Sequence, residues 1–361
     1  MNVWFDAFVG SLDCMQIEPC NDINIVFNAG LKILHASGMC GNVTLRSVHP
    51  QMSSPDLLYL GETEVRRHLR MPDLIPVMEK ALIDFSCGCV TQPVRSVMKI
   101  DPPGGFFGMM PAVAEAIGIK LVTFFPGNAE RGLATHMGAI FLMDRATGTP
   151  LVVMDARLIT EMRTAAVSAV ATKLLSHPDS RVLAVLGSGV QARSHIEALR
   201  LVRQFSEIRI WSRTEDHATE LARRVGGVAT AAEDAVRGAD VVVTVTNSTT
   251  PVLRGEWLKP GAHVNAVGAC RPDWRELDDA AMANVVLVDS RAAALQEAGD
   301  IIMSEAKIYA ELGEALAGKK PADKQTTIFK SLGMAIEDLA AAMLVYRSAN
   351  EVATDAGAGS P

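Results

Sequence analysis

The 361-residue chain contains no CxxC pair and no His/Cys cluster at zinc spacing. Its six cysteines, Cys14, Cys20, Cys40, Cys87, Cys89 and Cys270, are scattered. No metal site is therefore expected, and a reducing cytoplasm is the simplest compartment. Long apolar runs are missing as well. Leu121–Phe125, Ile140–Met143 and Val241–Val245 fall far short of the roughly 20 residues needed to span a bilayer, so a soluble chain is expected. The N-terminus, Met1-Asn-Val-Trp-Phe-Asp, lacks the basic region of a secretory signal. No run of Lys and Arg interleaves with aromatics, and 34 Lys plus Arg face 41 Asp plus Glu for a formal charge of −7. That balance argues against a nucleic-acid partner or an anionic membrane surface. There are no internal repeats.

What is present fits a globular α/β protein: 49% hydrophobic and 21% charged residues, with 28 Gly and 17 Pro. The length accommodates two domains. Residues 1–55 show no clear period and read as an extension or poorly ordered segment. Met52-Ser-Ser-Pro-Asp resembles a natural start, so residues 1–51 are expected to be an upstream extension, which mass spectrometry of the native N-terminus would settle. Helical patterns begin at Gly61 and Pro72, with the prolines expected in first turns, where a missing N–H costs little. Strand-like runs follow at Val94–Ile100, Phe106–Met110, Ile117–Phe125, Met137–Met143 and Leu151–Met154. Residues 56–157, joined by 320–350, are expected to form a mixed α+β, mostly antiparallel domain for substrate and dimerisation. From 158 to 319 strands alternate with helices, the signature of βαβ units around a parallel sheet. Residues 351–361 read as a flexible tail.

The strand Val182–Leu186 runs into Gly187-Ser-Gly-Val-Gln-Ala and then a helix, giving GxGxxA in strand–turn–helix context. Gly187 permits the tight turn, Gly189 lets a pyrophosphate approach the backbone, and Ala192 lets the helix pack close to the strand. A Rossmann-type dinucleotide domain is thus expected, with Val190 and Gln191 at the phosphate-facing helix start. At the second strand end, where an acidic residue would grip the ribose of NAD, the chain has Ser212, Arg213 and Thr214. A guanidinium and two hydroxyls suit a 2′-phosphate, so NADP(H) is favoured, while Glu215 keeps NAD(H) open. Later strand ends supply Thr246, Asn247, Val267, Gly268 and Ala269 as candidates to touch the nicotinamide half.

Three cations interrupt apolar stretches: Arg95 in Gln92-Pro-Val-Arg, Lys120 in Ile117-Gly-Ile-Lys-Leu-Val, and Arg163 in Ile159-Thr-Glu-Met-Arg-Thr-Ala-Ala. Buried, each requires an anionic partner. Taken singly, each is better explained by an exposed strand or helix face than by burial, and Lys120 sits in an alternating strand of which one face could be wet. These residues, together with Leu186-Gly-Ser-Gly, Asn265-Ala-Val-Gly-Ala-Cys-Arg-Pro-Asp-Trp-Arg-Glu-Leu and Lys330-Ser-Leu-Gly-Met-Ala-Ile-Glu-Asp, resemble the ornithine cyclodeaminase and mu-crystallin family from about Leu57 to Arg347. The likeness is greater to the mu-crystallin branch. It implies that Arg95, Lys120 and Arg163 surround a substrate carboxylate, that Thr135, Gln191, Ser331 and Leu332 line the cofactor cleft, and that the chain forms a homodimer through its mixed β domain.

The family's cyclodeaminase branch uses an aspartate in the loop after the last core strand. Here Cys270 holds its place, and a neutral thiol supplies neither its charge nor its basicity. Asp273 would serve only if the loop rearranged. The resemblance then implies reduction of a cyclic ketimine such as Δ1-piperideine-2-carboxylate or Δ1-pyrroline-2-carboxylate, with Lys120 as proton donor or as electrostatic anchor. Ornithine cyclodeamination, a related amino-acid dehydrogenation, and a non-catalytic protein that binds NADPH and thyroid hormone stay open as alternatives.

Overall fold

A computed structural model describes residues 57–357, the side chains of Ala129 and of 352–357 excepted. The expected N-terminal extension and the last four residues lie outside the described part. Fourteen strands are described: β1 (Leu58–Leu60), β2 (Ser96–Ile100), β3 (Gly105–Val113), β4 (Ile117–Phe124), β5 (His136–Met143), β6 (Pro150–Asp155), β7 (Val182–Leu186), β8 (Glu207–Trp211), β9 (Val228–Ala229), β10 (Val241–Thr244), β11 (His263–Ala266), β12 (Val285–Val288), β13 (Ile308–Glu311) and β14 (Thr327–Lys330). The helices are α1 (Glu62–His68), α2 (Met71–Ser86), α3 (Arg157–Leu175), α4 (Val190–Leu199), α5 (Glu215–Val225), α6 (Ala232–Val236), α7 (Asp279–Met282), α8 (Arg291–Glu297), α9 (Gly299–Ser304), α10 (Leu312–Leu316) and α11 (Ala335–Gly357). None is long and apolar enough to cross a membrane.

Alternation sets the first sheet, ordered β1-β6-β5-β4-β3-β2 and antiparallel except where β1 runs beside β6. Met110, Ala112, Ile140, Leu142, Val152 and Met154 point inward and are buried on the face covered by α1, α3 and α11, as the period of two dictates. Unbroken apolar strands set the second sheet, which is parallel and ordered β13-β12-β14-β11-β10-β7-β8-β9. Strands such as Val182–Leu186 and Val241–Thr244 are buried on both faces. From β7 the chain winds outward through β8 and β9, then returns to place β10 on the other side of β7. That reversal is the switch point where ligands bind at strand C-termini.

Three expectations need correction. The last strand, β14, lies inside the parallel sheet between β11 and β12, so 320–350 does not return to the first domain as a block. Of that stretch only α11 packs on β3, β4 and β5. Thr327–Lys330 is too short to declare its sheet by pattern. Second, α2 begins at Met71, which puts Pro72 at its first turn but Pro76 inside the helix, where it leaves the Pro72 carbonyl without its usual N–H donor. Third, α11 continues to Gly357, into the stretch expected as a tail.

The Ala-rich α3 is buried on nearly every face because it lies between the two sheets. Its polar residues are met by two buried histidines. His195 Nδ1 donates to the Gln191 carbonyl (2.7 Å), leaving Nε2 to accept from the Ser168 hydroxyl (3.0 Å). His263 Nε2 donates to Asn265 Oδ1 (3.3 Å) while Nδ1 accepts from Thr327 (2.9 Å), and Asn265 donates to Thr172. Both rings are neutral: burial lowers His195 to about 4 and His263 to about 3. Folded values below the unfolded 6.5 mean stability is complete above pH 6.5 and is lost as pH falls toward the folded values. At pH 5 each histidine is expected to cost about 2 kcal/mol relative to pH 7. Denaturant unfolding of wild type and His263→Gln at the two pH values checks this. The difference between them should shrink at pH 5 by that amount.

Candidate active site

The glycine turn after β7 is shaped by its neighbour. Gly187 has φ +134, and a Cβ there would sit 2.6 Å from the Val245 carbonyl oxygen at the end of β10. Only glycine fits. Gly189, by contrast, faces open space at the N-terminus of α4, and Val190 is exposed beside it. The buried Gln191 Oε1 has no partner among the described residues. An open approach over glycine, a helix N-terminus and an unpartnered amide oxygen together fit a dinucleotide pyrophosphate and its flanking groups. At the end of β8 a cleft of about 360 Å³ is lined by Trp211, Ser212, Arg213, Glu215 and the Ala229–Ala231 segment. Ser212 shares a hydroxyl contact of 2.8 Å with Ser188. Arg213 and Thr214 are exposed there.

The strand ends beyond the switch point are held by Glu276, which the sequence reading passed over. Its carboxylate accepts from Thr246 N (2.6 Å) and Oγ1 (2.7 Å), from Thr244 Oγ1 (2.8 Å) and from Gly268 N (2.7 Å). Burial raises its pKa, with Lys330 opposing. Thr246, Val267, Gly268 and Ala269 thus form one fixed rim, with Asn247 exposed at its edge. Cys270 is exposed on the following loop. Asp273 faces Arg271 (3.5 Å) with its side chain 70% exposed, so it is not turned into the cleft. Arg271 itself lies over Phe106 of β3 at 4.2 Å, joining this loop to the first sheet.

The three cations meet around the turn from β14 to α11. Lys120 is 3% exposed, so the wet-face alternative for this strand is wrong. Its Nζ pairs with Asp338 at 2.5 Å. Arg163 donates from Nε to Asp338 (3.0 Å) and from a terminal nitrogen to Glu337 (2.7 Å). Arg95 donates to the carbonyls of Leu332 and Gly333 (2.8 Å each) and pairs with Glu297 at 3.1 Å. Asp289 accepts from the N–H groups of the same two residues (2.6 Å each). Gln92 Oε1 accepts from Ile336 N. Gly333, at φ +82, leaves room for the Arg163 guanidinium, whose nitrogen a Cβ would meet at 2.3 Å. Ser331 is buried with no partner for its hydroxyl among the described residues, and Leu332 is buried beside it. Thr135 is half-buried at the start of β5, 3.3 Å from His136. Register sets His136 opposite Phe124, on the same face of the first sheet as Lys120, and burial and then the Lys120 charge lower its pKa.

Electrostatics divide the roles. Burial, opposed by Asp338 and reinforced by Arg163, brings Lys120 down to about 8. Burial alone would raise Asp338, but Arg163 and Lys120 outweigh it and hold it ionised. Glu337, desolvated, rises to about 7. The cleft can therefore hold a lysine that loses its proton at about pH 8, beside an arginine that never does. An ammonium has three donors and a guanidinium five, so donors remain for an incoming carboxylate. Glu337, Asp338, Glu297 and Asp289 were not assigned roles from sequence, although the demand that buried cations find anions pointed toward such residues.

A Rossmann-type dinucleotide cleft closed by a cation-lined mixed sheet defines an α/β oxidoreductase scaffold for an anionic small molecule. Residues 57–353 match the model of the ornithine cyclodeaminase/mu-crystallin family. The chain belongs to this family. It is 52% identical over 302 residues to the ketimine reductase mu-crystallin of Mus musculus, covering 80% of this chain and 96% of that protein. Among solved structures it resembles the Thermococcus litoralis Δ1-pyrroline-2-carboxylate reductase in complex with NADH and L-proline (33% identity, TM-score 0.78, covering 82% of this chain and 98% of that one). It also resembles an archaeal alanine dehydrogenase dimer with bound NAD (33%, 0.78, covering 82% and 96%).

Proposed function

We propose that this protein reduces a cyclic ketimine bearing an α-carboxylate, of the Δ1-piperideine-2-carboxylate or Δ1-pyrroline-2-carboxylate kind, to the cyclic L-amino acid with NADPH. The observation that carries the reading is the buried Lys120–Asp338–Arg163 cluster, two cations sharing one carboxylate, and Cys270 supplies no carboxylate on the loop after β11. The likeness to reductases of such imines supports it. Arg163 and Arg95 fix the substrate carboxylate through charge-assisted hydrogen bonds. Lys120, charged below about 8, faces the imine nitrogen and gives up its proton to it, becoming a neutral amine, and the protonated C=N makes the α-carbon electrophilic. The nicotinamide, when bound, supplies the hydride. Gly187, Gly189, Val190 and Gln191 take the pyrophosphate side. The rim formed by Thr246, Asn247, Val267, Gly268 and Ala269, with Thr135, Ser331 and Leu332 opposite, lines the reacting end. A panel of cyclic imines, and of keto acids with ammonia, tests the reading. NADPH should be consumed with the imines, whereas preference for pyruvate plus ammonia would make the chain an amino-acid dehydrogenase.

Preference for NADP(H) over NAD(H) rests on Ser212, Arg213 and Thr214 at the β8 cleft. Arg213→Ala is expected to lower the NADPH-to-NADH ratio of kcat/KM by about 10–100-fold, the worth of hydrogen bonds to a charged group. Initial rates with each cofactor check it, and an unchanged ratio would remove Arg213 from the site.

The outward face of the first sheet supports a homodimer. Register aligns Pro111, Ile119, Phe141, Val153 and Tyr59 in one row, with Met109, Leu121 and Ala139 in the next. The helices lie on the opposite face, and Tyr59 is 71% exposed. So continuous an apolar face needs a partner. Sedimentation is expected to give twice the chain mass for wild type and a monomer for Ile119→Glu.

A further inference from the structure

Outside the cleft, α2 ends in Cys87-Gly88-Cys89, and the turn is tightly specified. Cys87 N donates to Ile83 O, Gly88 N to Phe85 O and Cys89 N to Asp84 O, at 2.9–3.0 Å. Gly88 takes φ +79 with nothing within 4 Å of its Cβ position, a left-handed cap that glycine adopts without strain. This backbone brings the two sulfur atoms to 2.9 Å, and both thiols are exposed. The gap is within about 1 Å of the roughly 2.0 Å of a disulfide bond, a distance that side-chain rotation closes. No third His, Cys, Asp or Glu joins them in a cluster fit for a metal ion among the described residues.

We propose that Cys87 and Cys89 are a redox site that forms an intramolecular disulfide by exchange with small-molecule disulfides. In the first step one cysteine thiolate attacks a sulfur of the small disulfide. A protein–small-molecule S–S bond forms, the original S–S bond breaks, and one thiolate leaves. In the second step the neighbouring cysteine, deprotonated, attacks the protein sulfur and expels the second small thiolate. The two protein thiols are oxidised by two electrons, the small disulfide is reduced to two thiols, and the two thiol protons finish on them. Proximity of Cys87 pushes the Cys89 thiol up. Two negative charges at 2.9 Å would repel, so the sulfurs react in turn, as the two steps require. Because the resolving sulfur is already adjacent, the mixed disulfide is short-lived. The site stands just before Gln92 and Arg95, so oxidation would mark the segment that fixes the turn into α11.

The test treats the full-length protein with oxidised and reduced glutathione at graded ratios, then maps peptide masses after the remaining thiols are capped. The 87–89 peptide is expected to be lighter by two hydrogen atoms and to carry no glutathione. The peptide with Cys270, an exposed thiol on the loop after β11, is expected to carry the adduct. Cys87→Ser and Cys89→Ser should each retain glutathione on the cysteine that remains. Persistent glutathione on the wild-type 87–89 peptide, or two free thiols there at ratios that modify Cys270, would overturn the proposal.

Discussion

Lys120→Met is expected to lower kcat/KM for a cyclic imine by about 10²–10⁴-fold, the usual contribution of a positioned acid, while the dissociation constant for NADPH stays within about twofold. The lysine lies on β4 of the first sheet, whereas the glycine turn follows β7 of the second, and its ammonium pairs with Asp338. In the proposed reaction it meets substrate and not the pyrophosphate. The pH profile gives an independent reading. A lysine at about 8 is charged below that pH and neutral above it, so wild-type kcat/KM should fall as pH rises through about 8. In Lys120→Met that limb should vanish. Lys120→Arg is not expected to restore activity, because a planar guanidinium neither fits the compact pairing with Asp338 nor releases a proton. A profile unchanged by Lys120→Met would remove the lysine from the chemistry.

Asp338→Asn is expected to destabilise the fold by about 3–5 kcal/mol, since it leaves Lys120 and part of Arg163 as buried charge without its counter-ion. Asp338 is 1% exposed and binds both cations at 2.5 and 3.0 Å. An amide of the same shape keeps the volume and loses the charge. The second consequence is chemical. Asp338 is the chief group opposing the effect of burial on Lys120, so its neutralisation should move the upper limb of the pH profile to lower pH. Adding Lys120→Met to Asp338→Asn should recover part of the lost stability, because one uncompensated charge is then gone. Denaturant unfolding of the two single variants and the double variant measures this coupling. Additive losses would mean that the pair is energetically independent.

How much of this was legible in sequence followed the range of each signal. Gly187 and Gly189 were readable because the glycine turn, the apolar strand before it and the helix after it are consecutive, and the structure places them at the switch point. Lys120 and Arg163 were readable as anomalies, cations in apolar periods, but their burial was not, because a period of two fits a wet face as well as a dry one. Glu337 and Asp338 lay inside a quoted motif without a role. Two acidic residues in the first turn of a helix are ordinary helix chemistry, and only the tertiary fold brings α11 against β4 and α3. Strand β14 was misplaced for a similar reason, as a four-residue strand takes its sheet from its neighbours. Glu276 gave no local sign that it gathers the N–H groups of two strand ends.

The most direct test of the proposed chemistry is to incubate the protein with Δ1-piperideine-2-carboxylate and NADPH, then count cofactor consumed against product formed. Equal amounts of NADPH oxidised and L-pipecolate produced, with no ammonia released from ornithine when NADPH is replaced by NAD, are the predicted result. Ornithine turnover to proline and ammonia, with no net change in cofactor, would contradict it.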